Sequence, residues 1–287
     1  MKIATFSWGG ARHVGLLSTD ARELTPLRLT QEESDLGALA LIRRLAAGKP
    51  MPGPSGARLP LSAVKLEAPM PRPARNIFCV GRNYRAHANE LAGSVFKNED
   101  TEQWPIVFTK LPESVVGPHD SVRIPAGISD QIDYEAELAV VIGKGGTNIS
   151  ASSAMHHVFG YTIVNDVTAR DVQMRHQQWD LGKSFDTFCP MGPWLVTADE
   201  LDGSNTMLRS FVNGELRQEA NTRDMIFNIP TLIETCSRGI TLYPGDIIAT
   251  GTPAGVGMGM KPPVYLKRGD AMRIEIDGIG TLENTFK

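Results

Sequence analysis

The segment Asp133-Tyr-Glu-Ala-Glu-Leu-Ala-Val-Val-Ile142 holds the pair of side chains most able to do chemistry in this 287-residue sequence. Alternate residues of a strand share a face, so Glu135 and Glu137 would present two carboxylates side by side. Like charges held that close repel, and a divalent cation relieves them. A solvent-facing strand edge is the alternative, but the pair opens an apolar run, Leu138 to Ile142, that heads into a core. The next apolar run, Phe159 to Val164, ends in Asn165-Asp166, and neighbouring strand ends can bring Asp166 to the same place. Three carboxylates with no His or Cys beside them select a hard cation, Mg²⁺ or Mn²⁺, over zinc, and Mg²⁺ keeps positions open for water or substrate.

His87 and Glu90 stand three apart in an expected short helix, Tyr84 to Leu91, which puts them on one face. A carboxylate that fixes an imidazole's tautomer and stabilises its cation makes a general base suited to neutral pH. The alternative is an exposed polar pair. Lys183, in Gly182-Lys-Ser-Phe-Asp186, is a lone cation among small and apolar residues. Arg170 and Gln173 lie on one side of an expected helix, Thr168 to Gln177, from which both could face the acidic cluster at its rim; Arg170 could instead pair with Asp166 or Asp171. The glycine-rich run Gly251 to Met260 resembles a phosphate loop but lacks its Lys-Ser/Thr ending, and Pro262-Pro263 denies it a following helix. His13, His119, His156, His157 and His176 have no partner at ligand spacing and read as structural.

The elements that must position these residues are mostly strands. Beyond residue 72 short runs rich in Val, Ile, Leu and aromatics alternate with Gly, Pro and Asp turns: 76–80, 106–109, 137–142, 159–164, 194–197, 208–212, 247–250 and 271–276. Helical patterns are fewer, chiefly 84–91, 168–177 and 229–236, so a β-rich α+β fold is expected rather than alternating βαβ units. Asn213-Gly214 and Asp277-Gly278 are hairpin turns. Residues 1–72 read as a small N-terminal α/β domain, with strands 2–8 and 13–17 about a Gly9-Gly10 turn, a helix over 36–47 and a proline-rich connector. Residues 73–287 form the second, catalytic unit.

Composition excludes other functions. A net charge of −3 with 21% charged residues gives no basic stripe for nucleic acid. No apolar run approaches the ~20 residues of a membrane-spanning helix, and the N-terminal residues do not read as a secretory signal. Cys79, Cys189 and Cys236 fit neither a disulfide framework nor a CxxC site, which points to a reducing cytoplasm and to buried thiols.

Taken in order, Val80-Gly-Arg-Asn-Tyr84 with His87 and Glu90, Asp133-Tyr-Glu-x-Glu137, Asn165-Asp-Val-Thr-Ala-Arg-Asp171, Gly182-Lys-Ser-Phe-Asp186 and Gly251-Thr-Pro-x-Gly-Val-Gly257 resemble the fumarylacetoacetate hydrolase family over residues 72 to 287. The resemblance implies a mixed β-roll, usually in a homodimer, with Glu135, Glu137 and Asp166 as ligands of Mg²⁺ or Mn²⁺. It implies that His87 and Glu90 activate water and that Lys183 stabilises charge on the substrate oxygen. Arg170 and Gln173 are implied to hold the substrate, and a hydroxyl matching Thr252, with loop N–H groups, its carboxylate. Longer members add a carboxylate where Cys79-Val80-Gly81 stands here, so a three-carboxylate site is expected.

Such a site suits a 2-keto acid, whose enolate would be stabilised as it forms. The expected reaction is hydrolysis of an acylpyruvate to pyruvate and a carboxylic acid. Decarboxylation of oxaloacetate-like acids and isomerisation of hydroxydienedioates pass through the same kind of enolate and are the alternatives. A non-catalytic protein braced by its metal, or a small-molecule binding module, is the rival from another class. Residues 93–103 are polar enough to serve as a lid, and Phe96, Trp104, Trp179, Trp194 and Met258 could line a pocket or belong to the core.

Overall fold

In the computed structural model, which describes residues 1–90, 103–176 and 178–287, the strand Ala136–Ile142 is buried along its whole length. Leu138, Val140 and Ile142 enter one apolar cluster and Ala139 and Val141 another on the opposite face. Burial on both sides explains the unbroken hydrophobic run, since each such side chain contributes about 1.5–3 kcal/mol when removed from water. The proposed lid, apart from Gln103, lies outside the described residues, as do Phe96 and the expected helix ends Leu91 and Gln177.

Ala136–Ile142 pairs antiparallel with Val158–Asn165 on one side and Ile247–Ala249 on the other. Beyond Ile247–Ala249 the sheet continues through Ile77–Gly81, parallel to it, to Ile106–Lys110. In the other direction it passes from Val158–Asn165 through Cys189–Thr197 to Lys2–Trp8, Ala11–Leu17, Glu23–Pro26 and Leu59–Pro60. The N-terminal segment therefore extends the same sheet: Lys2 pairs with Val196 and Ile3 with Leu195. A second sheet, ordered Glu215–Asn221, Met207–Val212, Ala271–Ile276, Gly280–Phe286 and Ser121–Val122, shares one of these clusters through Leu208, Ile274, Ile276 and Leu282. The fold is β-rich and mixed, as the alternation of short apolar runs predicts. Among the described residues no helix is long and apolar enough to cross a membrane.

Local chemistry accounts for the turns. Asn213 and Gly214 both have positive φ, 51° and 83°, the combination a two-residue hairpin demands. The helix expected over 36–47 forms as Ala38–Ala46, preceded by a short one, Gln31–Asp35. They are divided at Gly37, whose φ of 65° suits glycine and where a Cβ would stand 2.5 Å from Pro69 O. The strand expected at Trp194 begins five residues earlier, at Cys189, despite Pro190 and Pro193. Its pairing with Val158–Asn165 shifts between Tyr161 and Ile163, and the Thr162 hydroxyl lies within reach of Gly192 O and Trp194 O at the irregularity.

Candidate active site

The register of the two central strands sets the acidic cluster. Ala136 lies opposite Asn165, so Glu135 and Asp166 flank the paired strand ends, and Asp166 N–H donates to Glu135 O at 2.8 Å. The Asn165 side chain accepts from Glu135 N–H, while Glu137 lies two residues along the strand from Glu135. One carboxylate oxygen from each of Glu135, Glu137 and Asp166 lies within 4.8 Å of the others, and all three residues are buried.

Three buried cations surround them. Lys183 Nζ is 2.6 Å from Glu135 Oε2 and 2.8 Å from Asp166 Oδ2. Arg170 pairs with Glu135 at 2.7 Å and with Asp133 at 2.9 Å. Lys110, fully buried, pairs with Asp166 Oδ1 at 2.7 Å and donates to the carbonyls of Val167 and Lys183. Burial alone would raise the Glu135 carboxyl, but Lys183 and Arg170 outweigh it and hold its pKa down at about 2. Glu137 goes the other way, well above the ordinary carboxylate range, because burial is reinforced by the charges of Asp166 and Glu135. Burial opposes the Lys183 ammonium, yet Asp166 and Glu135 raise its pKa. A hard divalent cation would fit the triad: all donors are carboxylate oxygens, and Glu137 is the member whose charge most lacks compensation.

The His87 and Glu90 pair forms as its spacing predicts. Both lie on the helix Arg85–Glu90, and His87 Nδ1–H donates to Glu90 Oε2 at 3.1 Å. The imidazole is buried and close enough to the triad to help lower Glu135.

Arg170 and Gln173 are not on a rim. Thr168–Ala169 is a short strand paired with Ile132–Asp133, and the helix starts only at Arg170. This brings the guanidinium onto Asp133 and Glu135 instead of Asp166 or Asp171, with Nη1 donating to Gln173 Oε1 at 3.2 Å. Both residues are 2% exposed. The Thr252 hydroxyl is also committed elsewhere: it donates to Ala136 O and accepts from the Gln218 side chain, so its one hydrogen is unavailable to a substrate carboxylate.

The glycine-rich loop binds the protein's own acids. Gly251 N–H donates to Glu137 at 2.9 Å, Gly255 N–H to Glu90 at 3.0 Å, and Gly257 and Met258 N–H to Asp133 at 2.7 and 2.9 Å. Trp179 edges against Phe108, Trp194 donates to Ile279 O within the core, and Trp104 is half exposed beside Arg238. The three thiols are buried, with Cys79 raised first by burial and then by Asp166 and Glu137.

Sequence reasoning missed Lys110, Asp133 and Gln218. Lys110 shares the inward face of its strand with Phe108, so its parity was a usable signal. Asp133 stood within a quoted motif without a role. Gln218 receives Ala136 N–H and donates to Thr252 and Pro253, contacts that nothing in its local sequence foretells.

Comparison with known proteins agrees with this geometry. The family model described as fumarylacetoacetate hydrolase, C-terminal, matches residues 76–287. Oxaloacetate tautomerase YisK of Bacillus subtilis is 55% identical over 225 residues, covering 78% of this chain and 73% of the relative. A fumarylacetoacetate hydrolase structure from Exiguobacterium antarcticum superposes with a TM-score of 0.87 at 41% identity, covering 100% of this chain and 99% of the other. The 2-hydroxyhepta-2,4-diene-1,7-dioate isomerase of Mycobacterium marinum gives 0.77 at 34%, with coverages of 100% and 98%. The chain belongs to the fumarylacetoacetate hydrolase family.

Proposed function

We propose that this protein is a divalent-cation-dependent enzyme that interconverts the keto and enol forms of oxaloacetate, a four-carbon 2-oxo diacid. The observation that carries the reading is that one short loop holds both sites: Gly251 N–H donates to Glu137 of the carboxylate triad and Gly255 N–H to Glu90, which backs His87. A base beside a cation site is what proton transfer next to a carbonyl requires. The name of the 55% identical relative supports the same substrate and favours this alternative over acylpyruvate hydrolysis. Mg²⁺ or Mn²⁺ on Glu135, Glu137 and Asp166 would supply positive charge where electrons gather on the 2-oxo oxygen.

His87 carries the proton. With Nδ1 turned to Glu90, its Nε2 removes a proton from the carbon between the 2-oxo group and the distal carboxylate. The C–H electron pair becomes the C=C bond and the carbonyl π pair moves onto oxygen. The imidazolium, stabilised by Glu90, returns the proton to that oxygen, and the enol forms with no atom gained or lost. Lys183 holds a fixed positive charge beside Glu135 and Asp166, and Arg170 fixes the Glu135 carboxylate.

The test follows the ultraviolet absorbance of freshly dissolved enol-oxaloacetate. Its decay should accelerate with Mg²⁺-loaded protein and return to the spontaneous rate with chelator or in His87→Ala. Unaccelerated decay with loaded wild-type protein would overturn the reading. A second reading, hydrolysis of an acylpyruvate, uses the same dyad to deprotonate water and is supported by the neighbour titled fumarylacetoacetate hydrolase. Pyruvate release, followed by a coupled lactate dehydrogenase assay, separates hydrolysis and decarboxylation from tautomerisation.

A further inference from the structure

The helix bearing His87 and Glu90 is six residues long, too short to hold its own geometry in water. Something else must fix the Glu90 carboxylate, and its direct partners come from the loop 251–260. Gly255 N–H donates to Glu90 Oε1 at 3.0 Å, while Glu90 Oε2 faces His87 Nδ1 at 3.1 Å. Gly255 has a φ of +107°, and a Cβ there would lie 1.9 Å from Arg217 O, so the N–H that grips Glu90 is presented by a backbone only glycine adopts. At Gly259 a Cβ would lie 2.2 Å from both Cδ and Oε1 and 2.3 Å from Cγ of Glu90, and this glycine, in a single 3-10 turn, is not in the left-handed region. The space that another residue's side chain would fill is filled by the Glu90 carboxylate.

We propose that Gly259 is a positioning residue for the proton-transfer dyad: with Gly255 it forms a slot that seats Glu90 against His87. The inference rests on the reading of His87 and Glu90 as the pair that moves the proton. The loop also reaches the acidic cluster, through Gly251 N–H on Glu137 and through Gly257 and Met258 N–H on Asp133, the partner of Arg170. One short segment thus sets the place of the dyad relative to the carboxylates. The three atoms nearest a methyl group at 259 all belong to the Glu90 side chain, from Cγ outward, which can turn away about its own bonds, so the fold should tolerate the methyl while Glu90 is pushed from the slot.

The experiment compares wild type, Gly259→Ala, Glu90→Gln, Glu90→Ala and Glu90→Ala/Gly259→Ala as full-length proteins. Readouts are the ¹⁵N resonance of His87 Nδ1, Mg²⁺ affinity by calorimetry, Tm, and kcat on enol-oxaloacetate. Gly259→Ala should keep its Tm and bind Mg²⁺ within about twofold of wild type. Its Nδ1 resonance should move to that of Glu90→Gln, and its kcat should fall on the order of 10²-fold. In the Glu90→Ala background none of the three atoms that the methyl would meet remains, so adding Gly259→Ala should cost nothing further in kcat. An unmoved Nδ1 resonance with full kcat in a folded Gly259→Ala protein would overturn the slot. So would failure of both Gly259→Ala and Glu90→Ala/Gly259→Ala to fold, since the methyl would then be striking something other than Glu90. A shifted resonance with unchanged kcat would leave the slot standing and remove the dyad from proton transfer.

Discussion

The carboxylate triad and the His87–Glu90 dyad are built in opposite ways. The triad rises from two adjacent strand ends at the centre of the sheet, and its spacing follows from pairing that the core on both faces enforces. The dyad rides on a single helical turn and a half, held from outside by a loop. Geometry from strand register survives most single substitutions, whereas geometry borrowed from a loop fails when one contact fails. Charge is handled differently too. Around the triad Lys110, Lys183 and Arg170 compensate Asp166 and Glu135, leaving Glu137 for a cation, while Glu90 of the dyad faces a backbone N–H and an imidazole.

The largest effect should come from the triad. Glu137→Gln removes the carboxylate whose charge is least compensated, so turnover should fall to the spontaneous rate and calorimetry should find no Mg²⁺ binding. Retained tight binding would move the cation elsewhere. His87→Ala sharpens the contrast from the other side. A lost general base costs about 10²- to 10⁴-fold in kcat, and Mg²⁺ affinity should stay within about twofold because no triad oxygen loses a neighbour in contact. Full turnover in that variant would leave the dyad without a role.

Lys110→Met probes how the triad is supported. Deleting one partner of a buried ion pair costs about 3–5 kcal/mol, measurable as a lower midpoint in urea, and the deficit should shrink when Mg²⁺ is added to reduce the charge left on Asp166. The surface pair Arg123–Asp186 is the control. It is nearly as short, 2.9 Å against 2.7 Å, but both side chains are more than half exposed, and Arg123→Ala should change stability by less than about 1 kcal/mol. Equal losses in the two variants would mean that burial does not set the worth of these pairs.

This also marks what the sequence could disclose. The triad was legible because a period of two and the end of the next apolar run both survive folding as written, and His87 with Glu90 because three residues is a helical repeat. Lys110 and Asp133 were not assigned, since their partners lie 56 and 37 residues away and arise from strand pairings that no local pattern encodes. The loop donors were legible but their acceptors within the protein were not: only the fold reveals that Glu137, Glu90 and Asp133 reach these N–H groups. Arg170 failed for a related reason, because the helix starts two residues later than its periodicity suggests and turns the guanidinium inward. Pro190 and Pro193 hid half a strand whose pairing irregularity accommodates them.

The smallest effect at neutral pH concerns the thiols, where burial is the leading cause of the shift. Burial pushes Cys236 up to about 12, with no other cause, and is the main cause of the same value at Cys189. Neither should form thiolate in the folded protein at pH 8, so a thiol reagent should modify them only at the rate of unfolding. The sign of the pH effect follows. The unfolded thiol titrates near 9, the folded one near 12, and between those values the unfolded chain binds fewer protons. Stability from these groups is therefore whole below pH 9 and declines as pH rises toward 12. Urea midpoints should be insensitive to Cys236→Ser in their pH dependence from pH 6 to 8, and the wild type should lose stability more steeply than that variant above pH 9. Rapid modification of native Cys236 at pH 8 would show that its helix, Ile229–Ser237, opens on its own, and would make that helix, rather than the dyad's single turn, the less secure element of the fold.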